Sequence, residues 1–201
     1  MQEPYWYGVA EPREIAQLTG KQILQAIIDG TLPHPPISQT LTFWLVEIGD
    51  GFAAFEGELG AHLLNPMGTV HGGWAMTLID SAAGCAGYSL IPAGAGFRTV
   101  ETKANLSRPI TSDSGRVRAE AHVVSQTRQV VSTEARVTSR DGRVLAHGTS
   151  TLMVVSGRSD LGEATADRQS TAPSLSVGRR PAPSAHLGQK RASRGFPRPR
   201  H

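Results

Sequence analysis

One domain of ordinary size is the default for 201 residues, but the hydrophobic share of 39% is low and the shortfall lies at one end. From Ser156 onward the chain is rich in Ser, Pro, Gly and Arg and holds nine Lys/Arg against three acids, so residues 1–155 are net −3 although the whole chain is +3; the basic total is no argument for nucleic-acid binding by a folded body. A single cysteine, Cys85, excludes an intrachain disulfide, no apolar run approaches a bilayer span and no basic-then-apolar leader opens the chain, which predicts a cytoplasmic protein without a membrane partner.

Residues 1–36 read as an accessory segment. Leu18 to Gly30 brings Ile23 with Ile27, and Leu24 with Ile28, onto one face, with Thr19 as N-cap and Gly30 as stop, the marks of a short amphipathic helix. The TLPHPPI that follows carries three prolines and is predicted to be an extended strap, not a helix. The main domain is predicted over residues 37–155. It opens with a hairpin across residues 40–60, in which Leu41, Phe43 and Leu45 alternate with smaller or polar residues, Gly49-Asp50-Gly51 turns the chain and Phe52 to Leu59 return.

The next stretch, Asn65 to Tyr88, begins as a loop with Pro66 and Gly68, passes through His71-Gly72-Gly73 and becomes a helix from Trp74 to near Leu90, where Pro92 and the surrounding glycines stop it. Its residues are nearly all small or apolar, so it is expected to be surrounded by other structure, with Cys85 as part of that packing and Trp74 in the core or an interface. Asp80 sits in its middle. A carboxylate in such surroundings has to be paired, hydrogen-bonded or used. The glycines before it let a group approach the unpartnered N–H groups of the first turn, where partial negative charge is favoured.

Strands follow in succession. Arg98 to Ser107 is extended, and Gly115 to Gln126 alternates Val117, Ala119, Ala121 and Val123 against polar residues. Gln129 to Arg140 repeats the alternation around Val131, Thr133, Ala135 and Val137, Asp141-Gly142 reads as a type I′ turn, and Arg143 to Val155 is the last strand. A hairpin, one long buried helix and several antiparallel strands make an α+β fold in which an antiparallel sheet wraps around a central helix. Residues 156–201 are predicted to be a disordered basic tail with no nucleic-acid role. Heptads, repeats, GxGxxG and Walker loops and zinc-type Cys/His pairs are absent from the sequence, so neither a metal nor a cofactor is expected.

The spacing N-x-x-G-x-x-H-G-G-x-x-x-x-x-x-D, met by Asn65, Gly68, His71, Gly72, Gly73 and Asp80, resembles the hotdog-fold acyl-CoA thioesterases of the PaaI type, and the likeness covers residues 40–155. The resemblance implies a homo-oligomer, a dimer or a dimer of dimers, that hydrolyses an acyl- or aryl-CoA thioester to a free acid and CoA. It also implies roles: Asp80 as general base or nucleophile, the Gly72 N–H as polariser of the thioester carbonyl, Asn65 and His71 as orienting groups, and Thr99 as an assisting hydroxyl early in the next strand. Geometry adds one independent constraint. Gly72 and Asp80 are eight residues apart, about 12 Å along a helix, whereas an oxyanion donor must lie about 3 Å from the reacting oxygen. If both serve one carbonyl, they come from different chains.

Plainer readings stand beside these. Asp80 is otherwise a structural acid, His71 a hydrogen-bonding helix cap, Asn65 an Asx-turn residue and the two glycines packing residues, while His147 has no evident role. Two other functions also fit the fold: a hydratase or dehydratase acting on 2-enoyl thioesters, and a non-catalytic acyl-CoA-binding module.

Overall fold

The computed structural model describes residues 6–157, and its longest helix is α4, Gly72–Tyr88. Two short helices and one intermediate one precede it: α1 (Pro12–Ile15), α2 (Gly20–Ile28) and α3 (Pro36–Leu41). The strands are β1 (Phe43–Gly49), β2 (Phe52–Gly57), β3 (Gly96–Leu106), β4 (Val117–Gln126), β5 (Val130–Thr138) and β6 (Val144–Val155). They form a six-stranded sheet in the order β1-β2-β4-β5-β6-β3, antiparallel at every pairing. The predicted sheet wrapped on a central helix is the fold observed.

The alternation along β4 and β5 works as anticipated: Val117, Ala119 and Ala121 on one, and Val131, Thr133, Ala135 and Val137 on the other, are buried on the face that α4 covers. Trp74, Leu78, Ile79, Ala82, Ala83 and Ala86 supply the helix side of this core. Leu78 and Ile79 are fully buried, and each such side chain contributes about 2 kcal/mol of transfer free energy. The alanines keep helix and sheet close. Trp74 is core, and its Nε1–H donates to Leu41 O at 2.8 Å.

Helix α2 has the expected cap, used in both directions. Thr19 Oγ1 accepts from Gln22 N at 3.3 Å and Gln22 Oε1 accepts from Thr19 N at 2.9 Å. Its Ile23 and Leu24 are buried, and Gly20 lies so close to the end of α4 that a Cβ there would sit 1.9 Å from Tyr88 O. The accessory segment is thereby joined to the main sheet and helix.

Three expectations need correction. The prolines of the strap do not exclude a helix: α3 begins at Pro36, because a proline at the first helical position gives up an N–H that has no partner there anyway. Helix α4 starts at Gly72, two residues before Trp74, since His71 caps it. Helix α1 had no forecast. The Asp141-Gly142 hairpin is not type I′, which needs positive φ at both central residues; among these only Gly142 has one, at 80°. Instead Gly142 N donates to Ser139 O at 2.9 Å and Ser139 N to Arg143 O at 3.0 Å, a type I turn followed by a left-handed glycine. The Ser139 hydroxyl, bonded to the Asp141 carboxylate, holds that turn. Among the described residues no helix is long and apolar enough to cross a membrane. The tail forecast, from residue 158 on, lies outside the described residues.

Candidate active site

The N-terminus of α4 is built by its cap. His71 has extended backbone (φ −62°, ψ 132°), and its Nδ1 accepts from Gly73 N at 3.0 Å. A neutral imidazole in this position carries its proton on Nε2, which is left for a partner beyond the helix. The Gly72 N–H has no acceptor among the described residues. A Cβ at Gly72 would come within 2.6 Å of Leu106 Cδ1, so glycine is what keeps this N–H accessible beside the end of β3.

Asn65 is engaged in its own loop. Its Oδ1 accepts from Met67 N (2.9 Å) and Thr69 N (3.2 Å), and its Nδ2 donates to Thr69 Oγ1 at 2.8 Å. This is the Asx turn of the plainer reading, with Gly68 supplying a φ of 82°. One amide hydrogen of Asn65 remains. Asn65 and Gly72 share a groove of ≈ 290 Å³ with Leu106, Arg108, Ile110 and Leu145. Arg108 is exposed, donates one Nη1–H to Val144 O at 2.9 Å and pairs with no carboxylate among the described residues.

Asp80 lies outside that groove, two helical turns further on. Half-buried, its Oδ1 accepts from Thr102 Oγ1 at 2.8 Å. The hydroxyl that meets Asp80 is that of Thr102, whereas Thr99, the hydroxyl expected from the resemblance, is exposed and pairs with Leu152. A bulge between Thr99 and Glu101 in the β3–β6 pairing leaves Val100 unpaired and puts Thr102 opposite Ser150, where an unbroken register from Thr99 would put Glu101. Spacing counted in the sequence cannot register an inserted residue of this kind. Ser150 on β6, directly opposite Thr102, was not singled out either; its Oγ lies 3.0 Å from Thr102 Oγ1. The available signal was a hydroxyl at matching positions of two adjacent inward-facing strands.

The thiol of Cys85, five residues beyond Asp80, has its pKa pushed up to about 12, first by burial and then by the Asp80 charge. It stays a thiol at neutral pH and is no nucleophile. Among the described residues no group of three or more His, Cys, Asp or Glu side chains is arranged to hold a metal ion.

Chemically, the arrangement offers one free N–H at the start of a helix and, two turns on in its middle, one accepting carboxylate with a hydroxyl on it. A thioesterase superfamily profile matches residues 67–146. A conserved protein from Pseudomonas aeruginosa is 31% identical, its alignment covering 59% of this chain and 93% of that one at a TM-score of 0.56. A thioesterase family protein from Silicibacter pomeroyi is 28% identical over 66% and 98% of the two chains, with a TM-score of 0.59. A mutant of the phenylacetic acid degradation protein PaaI from Thermus thermophilus is 28% identical over 59% and 97%, with a TM-score of 0.53. No curated protein matches. With the profile match and the sheet packed on a long helix in common, the chain belongs to the thioesterase superfamily, as a hotdog-fold protein of the PaaI type.

Proposed function

We propose that the protein hydrolyses acyl- or aryl-CoA thioesters to free acid and CoA at sites shared between two subunits. The observation that carries this reading is the division of labour along α4: the Gly72 N–H is unpartnered at its start, and Asp80 is held by Thr102 two turns on. The groove beside Gly72 receives the thioester, whose carbonyl oxygen accepts from the Gly72 N–H with help from the helix dipole. Asp80 of the partner subunit then activates a water or attacks the carbonyl itself. Asn65, through its remaining amide hydrogen, and His71, through Nε2, orient the substrate. Arg108, exposed at the same groove, suits a phosphate of CoA.

The sheet order supports the pairing of two chains. Strand β3 is an edge of eleven residues, Gly96–Leu106, and beside it Val100, Leu106, Met153 and Met76 are exposed large hydrophobics. A long apolar edge of this kind is normally covered, and a two-fold pairing of β3 strands covers it with a second copy. A dimer of dimers is compatible with the same contact.

A hydratase acts through a His and an acid on one carbon skeleton. Here His71 Nδ1 is taken up by the Gly73 N–H as the cap of the helix, which favours hydrolysis. A pure acyl-CoA-binding module has no use for a desolvated carboxylate at the thioester. The test is thiol release from a panel of acyl- and aryl-CoA thioesters by wild type and Asp80→Asn. Hydrolysis by wild type with Asp80→Asn reduced at least about 100-fold supports the proposal. Turnover of an enoyl-CoA without thiol release, or tight binding without turnover, overturns it.

A further inference from the structure

We propose that Ser150 is a positioning residue for Asp80, acting through Thr102 as part of a hydroxyl relay that is complete only while the carboxylate holds a proton. The inference rests on the hydrolytic reading above. Three contacts join four groups: Thr102 Oγ1 to Asp80 Oδ1 at 2.8 Å, Thr102 Oγ1 to Ser150 Oγ at 3.0 Å, and Ser150 Oγ to Glu101 O at 2.8 Å. Each hydroxyl has a single hydrogen, while an ionised carboxylate and a backbone carbonyl only accept. With Asp80 ionised, two hydrogens must serve three contacts. Thr102 donates to Asp80, and Ser150 donates either to Thr102 or to Glu101 O, never to both.

Protonation of Asp80 supplies the missing hydrogen. Asp80 then donates to Thr102, Thr102 to Ser150 and Ser150 to Glu101 O, so all three contacts are made and all run in one direction. Ser150 is only 2% exposed, which leaves little room for water to substitute. Its backbone is fixed from both sides, since Ser150 pairs with Thr102 on β3 and with Thr133 on β5, and Thr133 Oγ1 donates to Ser150 O at 3.2 Å. The sheet register thus sets the separations that the relay needs.

The relay favours the general-base route over direct attack. Asp80 removes a proton from water, and the water oxygen forms a bond to the thioester carbonyl carbon as the carbonyl electron pair moves to its oxygen. The intermediate collapses, the C–S bond breaks with its electron pair on sulfur, and the proton on Asp80 passes to that thiolate. Acid and thiol leave, and the carboxylate is restored. Reversal of the two hydroxyls accompanies each proton transfer and adds one hydrogen bond while Asp80 is loaded. Direct attack never loads Asp80 with a proton in this way.

The experiment compares kcat and KM on the full chain for Ser150→Ala, Thr102→Val and the double variant, with Tm for each. The expected result is a kcat about fivefold lower for Ser150→Ala with KM unchanged, the effect of one lost hydrogen bond. Thr102→Val should lose more, and the double variant no more than Thr102→Val alone, because Ser150 acts only through Thr102. A wild-type kcat in Ser150→Ala, or losses that multiply, overturns the relay. If Ser150→Ala fails to fold, Ser150→Thr and Ser150→Val supply a volume-matched pair: Thr well above Val supports the relay and equality overturns it. Hydrolysis that needs Asp80 but ignores Ser150 removes the relay alone. A wild-type protein that cleaves no thioester removes both readings.

Discussion

Thr102 Oγ1 donates to Asp80 Oδ1 at 2.8 Å across the interface between β3 and α4. That contact ties the carboxylate to the edge strand at which a second copy is proposed to join. Thr99, three residues earlier on the same strand, is exposed and pairs with Leu152. The two threonines therefore give a direct comparison. Thr102→Val should lower kcat about 10- to 100-fold with a small change in Tm, while Thr99→Val should stay within about twofold of wild type. Steady-state kinetics and a thermal melt of both variants decide it, and the reverse order would return the assisting role to Thr99.

The reason for the shift shows where reading by spacing runs out. The pattern from Asn65 to Asp80 lies within one loop and one helix, where three-dimensional neighbours follow from sequence distance, so the loop and the helix it starts were legible. The partner of Asp80 comes from a strand that reaches the helix only after a loop and a bulge, and one inserted residue, Val100, puts Thr102 instead of Glu101 opposite Ser150. The same distinction governs the fold. Alternation along β4 and β5 was legible because burial enforces it at every second residue. The proline-started α3 and the left-handed Gly142 turn were not, because each depends on a local backbone choice that several residue types permit. Asn65 illustrates a third limit: the sequence allowed both an Asx turn and a substrate contact, and the side chain has hydrogen-bonding capacity for both.

Cys85 gives a prediction about stability. Its thiol is held at about 12 against 9.0 for an ordinary one, first by burial and then by the nearby Asp80 charge. Above the unfolded value the unfolded chain releases this proton while the native one retains it, so ν for the unfolded state is the smaller and stability falls as pH rises. The contribution is fully present below about pH 9 and is lost progressively between about pH 9 and 12. Denaturant titrations across that window should show a steeper decline for wild type than for Cys85→Ala. Cys85 is half-exposed in one chain, so at pH 8 a thiol reagent should label the native protein more slowly than the unfolded one, and equal rates would contradict the raised pKa.

Arg108 tests which end of the substrate lies in the Gly72 groove. If its guanidinium meets a phosphate of CoA, Arg108→Ala should raise KM for an acyl-CoA about tenfold, the scale of one charge-assisted hydrogen bond, and leave kcat unchanged. Thioesters of pantetheine, which lack the nucleotide, should be hydrolysed equally by wild type and variant. Arg108→Lys should recover part of the loss. Equal effects on long and short thioesters would instead mean that the bond to Val144 O is the residue's whole contribution.

Assembly is tested by complementation, and the structure makes the design cleaner than the sequence alone allowed. Gly72 is the first residue of α4 and follows His71, whose backbone is extended at φ −62° and ψ 132°. Proline is well tolerated at a first helical position and demands an extended residue before it, so Gly72→Pro removes the N–H with little harm to the helix. The neighbouring atom that must move aside is Leu106 Cδ1, at the end of an exposed side chain. Gly72→Pro and Asp80→Ala should each be inactive. In a dimer with two shared sites, a mixed pair has one site with both defects and one with neither. Random exchange makes about half of the dimers mixed, so the mixture should recover about a quarter of wild-type activity. Co-expression with two affinity tags isolates the mixed dimer, which should then show about half of wild-type activity per dimer. Mixed dimers no more active than their parents would mean that Gly72 and Asp80 of different chains do not meet at one site, and the start and the middle of α4 would have no common reaction.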